Sequence, residues 1–432
     1  MKINESLKFL LPEEVTDIGE QFGTPIFVYD LASMKSKYEY LSTLPNAFGM
    51  TIRYSVKANP NRNIIQLFDS FGAHFDVSSV WEAKRLVRAG IAPGKILMTA
   101  QEASEGWQEL CSAGMLFDAG SLEQLEMYGQ QFAGGEVSVR INPGFGSGLV
   151  KKLTSGGSHS SFGIWVEHLD QVLAMADRYR LKIVRLHFHI GSGHEATVLE
   201  QTVELGLRIC KRLPTVNFLN LGGGYKVAAL AGDPIYDHHA MGERIAGQLQ
   251  AYAEQGGQRL QLEIEPGTYM ISLAGSLVTR VIDKVDTGAA GNTFLKIDGG
   301  LTEIMRPSYY GALHPLVTVP ASGVLTEQAA EYIVCGHCCV AGDNLTPVAG
   351  NSEDFTPQPL GVAGVGDYLV VERAGGYAAS MSVKNFNSYP EAAELLRVAE
   401  GKYVLLRKRQ TLDQMVQNEV HHDDITVLGN AM

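Results

Sequence analysis

The sequence predicts an α/β fold: a parallel (β/α)8 barrel of the TIM type joined to a second, mostly antiparallel β domain. Three observations carry that prediction. Between residues 26 and 267 short apolar or β-branched runs, eight of them strand candidates, alternate with helix-like stretches. The chemically distinctive residues fall at the C-terminal ends of those runs, the face on which such barrels build their sites. After residue 268 the texture changes to strand-like runs separated by turns, with little helix between them.

The eight expected strands are TIRYSVK (51–57), HFDVSS (74–79), KILMTA (95–100), MLFDAG (115–120), EVSVRIN (136–142), KIVRLHFHI (182–190), NFLNLGGG (217–224) and LQLEIEPG (260–267). Segments between them, such as NIIQLFDSFGA and WEAKRLVRAG, have helical spacing and close on glycine, which suits a C-terminal cap. Eight β-α units in about 240 residues fit one closed barrel. Periodicity alone leaves a doubly wound open sheet as the rival, and the strand-end residues favour the barrel. SLVTRVIDKVD, NTFLKIDGG, EYIVCG, DYLVVER and GKYVLLRKR supply the second domain. The expected division is a barrel over 26–272, with residues 1–25 and 273–432 forming the β domain.

Composition narrows the function classes. The chain has 432 residues, is 45% hydrophobic and carries a net charge of -12. No basic run is interleaved with aromatics, so neither nucleic acid nor an anionic membrane is an expected partner. No run of about 18 apolar residues occurs, and the opening MKINESLKFLLPEEV is too short and too acidic in its apolar patch for a signal peptide. A cytoplasmic setting is the expectation. The five cysteines do not read as a disulfide framework. Cys335 and Cys338 have C-x-x-C spacing, but no second pair completes a four-ligand zinc site, so no metal is expected. His238, His239 and the HHDD run at 421–424 read as solvated surface.

Four features carry chemistry. Lys57 ends an otherwise buried-looking strand. It is either a lysine reaching solvent or a partly desolvated amine of lowered pKa suited to Schiff-base formation. Gly222, Gly223 and Gly224 are either a flexible turn or a cradle of exposed N–H groups for an anion. The cradle lacks the residues of a P-loop or a dinucleotide fingerprint. His189 lies in line with its strand, with Ser192 and Gly193 as further anion donors, and a satisfied core histidine is the alternative. Glu265 ends an apolar strand, where a carboxylate needs a cationic partner. A reactive lysine, a phosphate cradle, a flat stacking side chain and a carboxylate for a ring nitrogen together match the needs of pyridoxal 5'-phosphate.

The whole chain resembles the fold type III pyridoxal-phosphate decarboxylases, whose barrel-plus-β architecture is alanine racemase-like, and within them the bacterial diaminopimelate decarboxylases. The matching motifs run in order: YSVKANP, FDVSS, RINPGFGSG, FGIW, HFHIGSG, LGGGY, EIEPG, RPSYYGALHP, GHCCVAGD, GGY and FNS, and then the closing RKRQTLDQM. The resemblance implies a carboxy-lyase that converts meso-2,6-diaminopimelate to L-lysine and CO2. It implies that Lys57 is the covalent anchor of the cofactor and that His189 stacks on its ring. Ser192, Gly222, Gly223 and Gly224 then bind the phosphate, and Glu265 keeps the pyridine nitrogen protonated. Asp76, Gly267 and Tyr377 fall on positions beside the cofactor. Arg306, Tyr310 and Tyr377 match substrate-binding positions, and Cys339 matches the proton donor to carbon, supplied by the partner subunit of a homodimer.

Three positions depart from the family pattern. Thr268 stands where Arg follows E-P-G, Val340 where Glu follows the cysteine, and Ser161 where a lysine often precedes the FG motif. The lost Arg and Glu are those that hold the distal ammonium-carboxylate end of diaminopimelate. The alternative substrate is therefore a different amine-bearing amino acid, carboxynorspermidine-like or other. A racemase is the rival chemistry, although racemases place an arginine rather than a carboxylate near the ring nitrogen. A non-catalytic homologue is the rival class, and such proteins tend to lose the lysine or the cradle.

Overall fold

A computed structural model describes residues 3–148, 154–192 and 196–422, and Gly193 lies outside the described residues. The first strand, β1 (Ile26–Asp30), belongs to the second sheet. The barrel begins with β2 (Met50–Ser55) and continues through β3 (His74–Val77), β4 (Ile96–Met98), β5 (Leu116–Ala119) and β6 (Glu136–Asn142). A two-residue strand, β7 (Ile164–Trp165), pairs with β6, and β8 (Lys182–His187), β9 (Phe218–Asn220) and β10 (Gln261–Ile264) complete the set. All neighbouring pairs are parallel, and β10 returns to β2 with Leu262 opposite Met50, so the sheet is closed. The expected barrel is present.

The helices form where their sequences cap them. Asn61 accepts from Asn63 N–H ahead of helix Arg62–Phe71, and Gly72 ends that helix at φ 105. Ser79 and Ser121 cap Val80–Arg88 and Leu122–Gln131 in the same way. The barrel strands are shorter than the expected runs at their C-terminal ends. After Ser55 the chain enters a 3-10 turn over Val56–Ala58, which places Lys57 on a turn above the barrel. The Ser55 hydroxyl donates to the Glu265 carbonyl at 2.9 Å, tying the two strand ends together as the ladder stops.

Alternation by two residues stacks the barrel interior in layers. In the lower layer Arg53 and Arg185 grip the Glu263 carboxylate at 2.8 and 2.6 Å, and Arg185 also donates to Ser138. Burial opposes the Glu263 charge, but the two guanidinium groups bring its pKa down to about 2. Two residues further along each strand lie Ser55, His187, Glu265 and Arg140, the layer that floors the mouth.

The second sheet carries β11 (Gly275–Asp286), β12 (Thr293–Ile297), β13 (Leu316–Val319) and β14 (Ala329–Cys335), beside a small ribbon of β15 (Pro347–Val348) and β16 (Asn351–Phe355). It closes with β17 (Gln358–Gly361), β18 (Tyr368–Val371), β19 (Ala393–Ala399) and β20 (Lys402–Arg407). Most of its pairings are antiparallel, with β1–β19 and β12–β14 parallel. Ile26 lies opposite Val278 and Ala393, so β1 is bonded inside this sheet although it falls within the expected barrel span of 26–272. Among the described residues no helix is long and apolar enough to cross a membrane.

Candidate active site at the barrel mouth

Lys57 is exposed between buried Val56 and Ala58, and its Nζ lies 3.6 Å from Asp76 Oδ2 and 3.3 Å from Ser78 Oγ. Its side chain keeps 44% exposure, so desolvation against its charge is partial. Burial lowers its pKa, but Asp76, with Tyr377 and Glu265 behind it, holds the ammonium above the ordinary lysine value. Of the two readings the sequence allowed for Lys57, the partly desolvated amine carried a depressed pKa. The buried carboxylate reverses that direction.

Asp76 is itself buried and accepts from Ser55 and Thr99 hydroxyls. Burial, together with Glu265, raises its pKa, while Lys57 works the other way. Glu265 is fixed from two sides. Asn220 Nδ2 donates to Oε1 at 2.6 Å, and His187 Nε2 lies 3.4 Å from Oε2. The other ring nitrogen of His187 meets Asp118 Oδ2 at 2.7 Å. Burial opposes charge on His187, yet Glu265 and Asp118 on its two flanks raise its pKa to about 9. The imidazolium and the Asn220 amide in turn hold Glu265 below the usual carboxylate value despite its burial.

The glycine run follows β9 directly. Gly222 has φ 68, and a Cβ there would lie 2.6 Å from His189 Nδ1 and 2.8 Å from the Phe188 carbonyl. At Gly223 a Cβ would lie 2.5 Å from the Glu265 carbonyl oxygen. The Gly223 N–H donates to His189 Nδ1 at 3.1 Å, which orients that half-buried ring against the loop. Ser192 follows β8 at the same end of the barrel, with Gly224 at φ 102 closing the run.

The second domain reaches into the mouth through Tyr377. Its N–H donates to the Ala58 carbonyl at 2.8 Å, and Gly267 packs against its hydroxyl, where a Cβ would lie 2.7 Å away. Tyr377 holds φ 55, a backbone state rare for a bulky residue and a recurrent mark of functional positions. Arg306 opens the short helix Arg306–Tyr310, and its guanidinium carbon lies 5.9 Å from the ring centres of both Tyr310 and Tyr377. These contacts link Lys57, Asp76, His189, Gly222, Gly223, Glu265, Gly267 and Tyr377 at the barrel mouth, and Arg306 and Tyr310 join them through the Tyr377 ring. Cys339 is exposed on the turn after β14, and its N–H bonds Asn387 rather than any residue of this group. Asp343 shapes that turn by accepting from Cys338 and Leu301 N–H groups at 2.9 Å each.

Sequence reasoning missed His187, Asp118, Asn220 and Arg140. The signal for His187 was present, since alternation in HFHI puts both histidines on one face. Asp118, at the end of an apolar run in MLFDAG, met the same test that singled out Glu265. Arg140 is buried with Nη2 unbonded, and it lines a cavity of about 50 Å³ with Asp118, Gln101, Ser161 and Phe162. Ser161, one of the family departures, therefore sits beside this layer. Of the other two, Thr268 starts the helix Thr268–Ile271 and Val340 is 45% exposed.

These residues fit pyridoxal phosphate. Gly222 and Gly223 leave a close backbone approach that any Cβ would close, and Glu265 keeps an ionised carboxylate in the floor. What the groups jointly accommodate is an aldehyde on a nitrogen heterocycle bearing a phosphate, which makes this a pyridoxal-phosphate-dependent barrel enzyme. Its family follows from comparison. Residues 32–272 match the model described as pyridoxal-dependent decarboxylase, pyridoxal binding domain, and the chain belongs to that family. The diaminopimelate decarboxylase of Streptomyces coelicolor is 33% identical over 407 residues, 93% of this chain and 90% of that protein. The one from Escherichia coli K12 is 32% identical over 420 residues, 95% and 97% of the two chains. A crystal structure of a diaminopimelate decarboxylase matches with a TM-score of 0.88 at 31% identity, covering 95% of this chain and 97% of the other.

Proposed function

We propose that this protein decarboxylates meso-2,6-diaminopimelate to L-lysine and CO2. The observation that carries the reading is the polarised mouth: Lys57 paired to Asp76 on one side, and Glu265 held ionised by His187 and Asn220 on the other. Bound pyridoxal phosphate supplies the electron sink for the pair left behind when CO2 departs. Lys57 would hold it covalently and carry the amine proton, with Asp76 as the neighbouring charge. Glu265 holds a proton at the ring nitrogen. The Gly222–Gly224 loop, together with Ser192, would hold the phosphate, and His189, bonded to the Gly223 N–H, would cover the ring face. Arg306 and Tyr310 bind a substrate carboxylate, and Tyr377 closes the mouth above Gly267.

Cys339 then delivers a proton to carbon from the partner subunit of a homodimer, the role that its exposure on the Asp343-shaped turn supports. The same reading divides the chain into a cofactor-binding barrel over 26–272 and a β domain from 1–25 and 273–432, with β1 bonded across to the latter. A cytoplasmic setting belongs to it as well. A second substrate, another amine-bearing amino acid, is favoured by Thr268 and Val340, neither of which carries a charge. The test is CO2 release from meso-diaminopimelate by purified holoenzyme, with L-lysine identified as product. Absence of both overturns the substrate assignment.

A further inference from the structure

Two guanidinium groups beside the mouth have no carboxylate at ion-pair distance among the described residues. Among the described residues neither the Arg306 nor the Arg373 side chain makes a hydrogen bond or ion pair, and the Arg306 guanidinium faces the rings of Tyr310 and Tyr377. Strand register places Arg373. β13 and β18 run antiparallel with Leu316 opposite Val371, and Glu372 N–H donates to the Pro315 carbonyl at 2.9 Å. The next step outward sets Arg373 against His314, four residues beyond the helix that Arg306 opens. The Glu372 carboxylate turns the other way, to Ser276 Oγ and Lys8 N–H. Arg373 itself lies on the bend that follows, where the chain leaves that strand for the mouth. Four residues later Tyr377 bonds Ala58, next to Lys57.

The position is also conformationally unusual. Arg373 holds φ 61, a left-handed state that L residues other than Asn, Asp and Gly rarely adopt. Its charged surroundings are few. Asp233 attracts it, but that carboxylate already accepts the N–H groups of Ala229 and Leu230 at 2.8 and 2.9 Å. Burial, with repulsion from Arg306, brings the Arg373 pKa down to about 10. His314, buried and facing both cations, is held well below the usual histidine range. Two like charges that no carboxylate pairs directly destabilise the fold unless an anion joins them.

We propose that Arg373 joins Arg306 in a cradle for the carboxylate at the far end of the substrate, with Arg373 acting as a specificity-determining residue. This rests on the reading of the mouth as an amino-acid site. With Thr268 and Val340 neutral, the far end is recognised as an anion, and a distal ammonium adds nothing to binding. The substrate class is an α-amino acid with a remote carboxylate.

The test uses holoenzyme and the variants Arg373→Asn, which tolerates the left-handed backbone, and Arg373→Lys, which keeps the charge without the planar fork. Pimelate, a dicarboxylate without amines, reports binding by calorimetry independently of turnover. Turnover is followed with racemic 2-aminopimelate and meso-diaminopimelate. In Arg373→Asn the pimelate Kd and the KM values rise about 10- to 100-fold, the loss expected for a charge-assisted contact. kcat changes far less, cofactor content and absorption stay as in the wild type, and Arg373→Lys recovers part of the affinity. Unchanged pimelate binding in Arg373→Asn, no pimelate binding to wild type, or a fall in kcat with KM unaltered overturns the cradle. If Arg373→Asn fails to fold, Arg373→Lys decides, and equal affinity to wild type overturns it. Pimelate binding that depends on Arg373 in an enzyme releasing no CO2 from either amino acid upholds the cradle and rejects the substrate reading.

Discussion

At the scale of single residues, Lys57 and His187 are both held protonated by neighbouring carboxylates. Lys57 keeps its ammonium because Asp76 lies 3.6 Å away, so covalent capture of the cofactor requires that pair to be loosened. Lys57→Ala is expected to abolish the visible absorption of the covalently bound cofactor. It should also cut decarboxylation on the order of 10³-fold or more, as loss of a covalent catalyst does. An unchanged spectrum would show that another group anchors the cofactor. His187 has its folded pKa raised from 6.5 to about 9 by Glu265 and Asp118. Its charge therefore stabilises the fold fully below pH 6.5, and that contribution disappears as pH rises through about 9. The Tm of the wild type should fall across this interval. In His187→Gln the Tm should be lower at pH 6 and nearly flat across the interval, as followed by thermal melts at fixed ionic strength.

At the scale of elements, the loop after β9 works because it has no side chains. The Gly222 φ of 68 and the 2.8 Å approach to the Phe188 carbonyl make Gly222→Ala doubly unfavourable. The expected cost is about 1–3 kcal/mol, from strained backbone displaced against a carbonyl. Urea unfolding should report that cost, and cofactor titration should show at least about tenfold weaker binding if the loop is the phosphate cradle. Retained cofactor affinity would place the phosphate elsewhere. The element scale also explains what sequence reading could and could not see. Strand ends rich in glycine and charge stood out in LGGGY and EIEPG. Their neighbours in the same layer did not, because Asp118 and His187 acquire meaning only when β5, β8 and β10 curve round to share an interior. The two-residue β7 left no period to detect, and the turn at Val56–Ala58 depends on contacts from Pro266 and Glu265 across the sheet.

At the scale of the whole molecule, the mouth is built from two sheets and, on the proposed reading, from two subunits. Sedimentation should give a mass near twice 46.9 kDa. Mixing Lys57→Ala with Cys339→Ala protein tests shared sites. Random reassociation makes half the dimers mixed, each with one intact site, so activity should recover to about a quarter of wild type. No recovery after verified subunit exchange would confine each site to one chain.

The sequence by itself determined the alternation of strand and helix, the strand-end location of the reactive groups and the motif order that identifies the family, because these are properties of local spacing. Only the tertiary structure decided the protonation of those groups. Lys57, legible either as a solvated lysine or as an amine of lowered pKa, holds its proton, since Asp76 arrives from a separate strand 19 residues away. Glu265 was left seeking a cation and finds it in a histidine 78 positions earlier, itself kept charged by Glu265 and by Asp118 on its other side. Charge in a buried layer depends on distances through space, and those are set when the barrel closes.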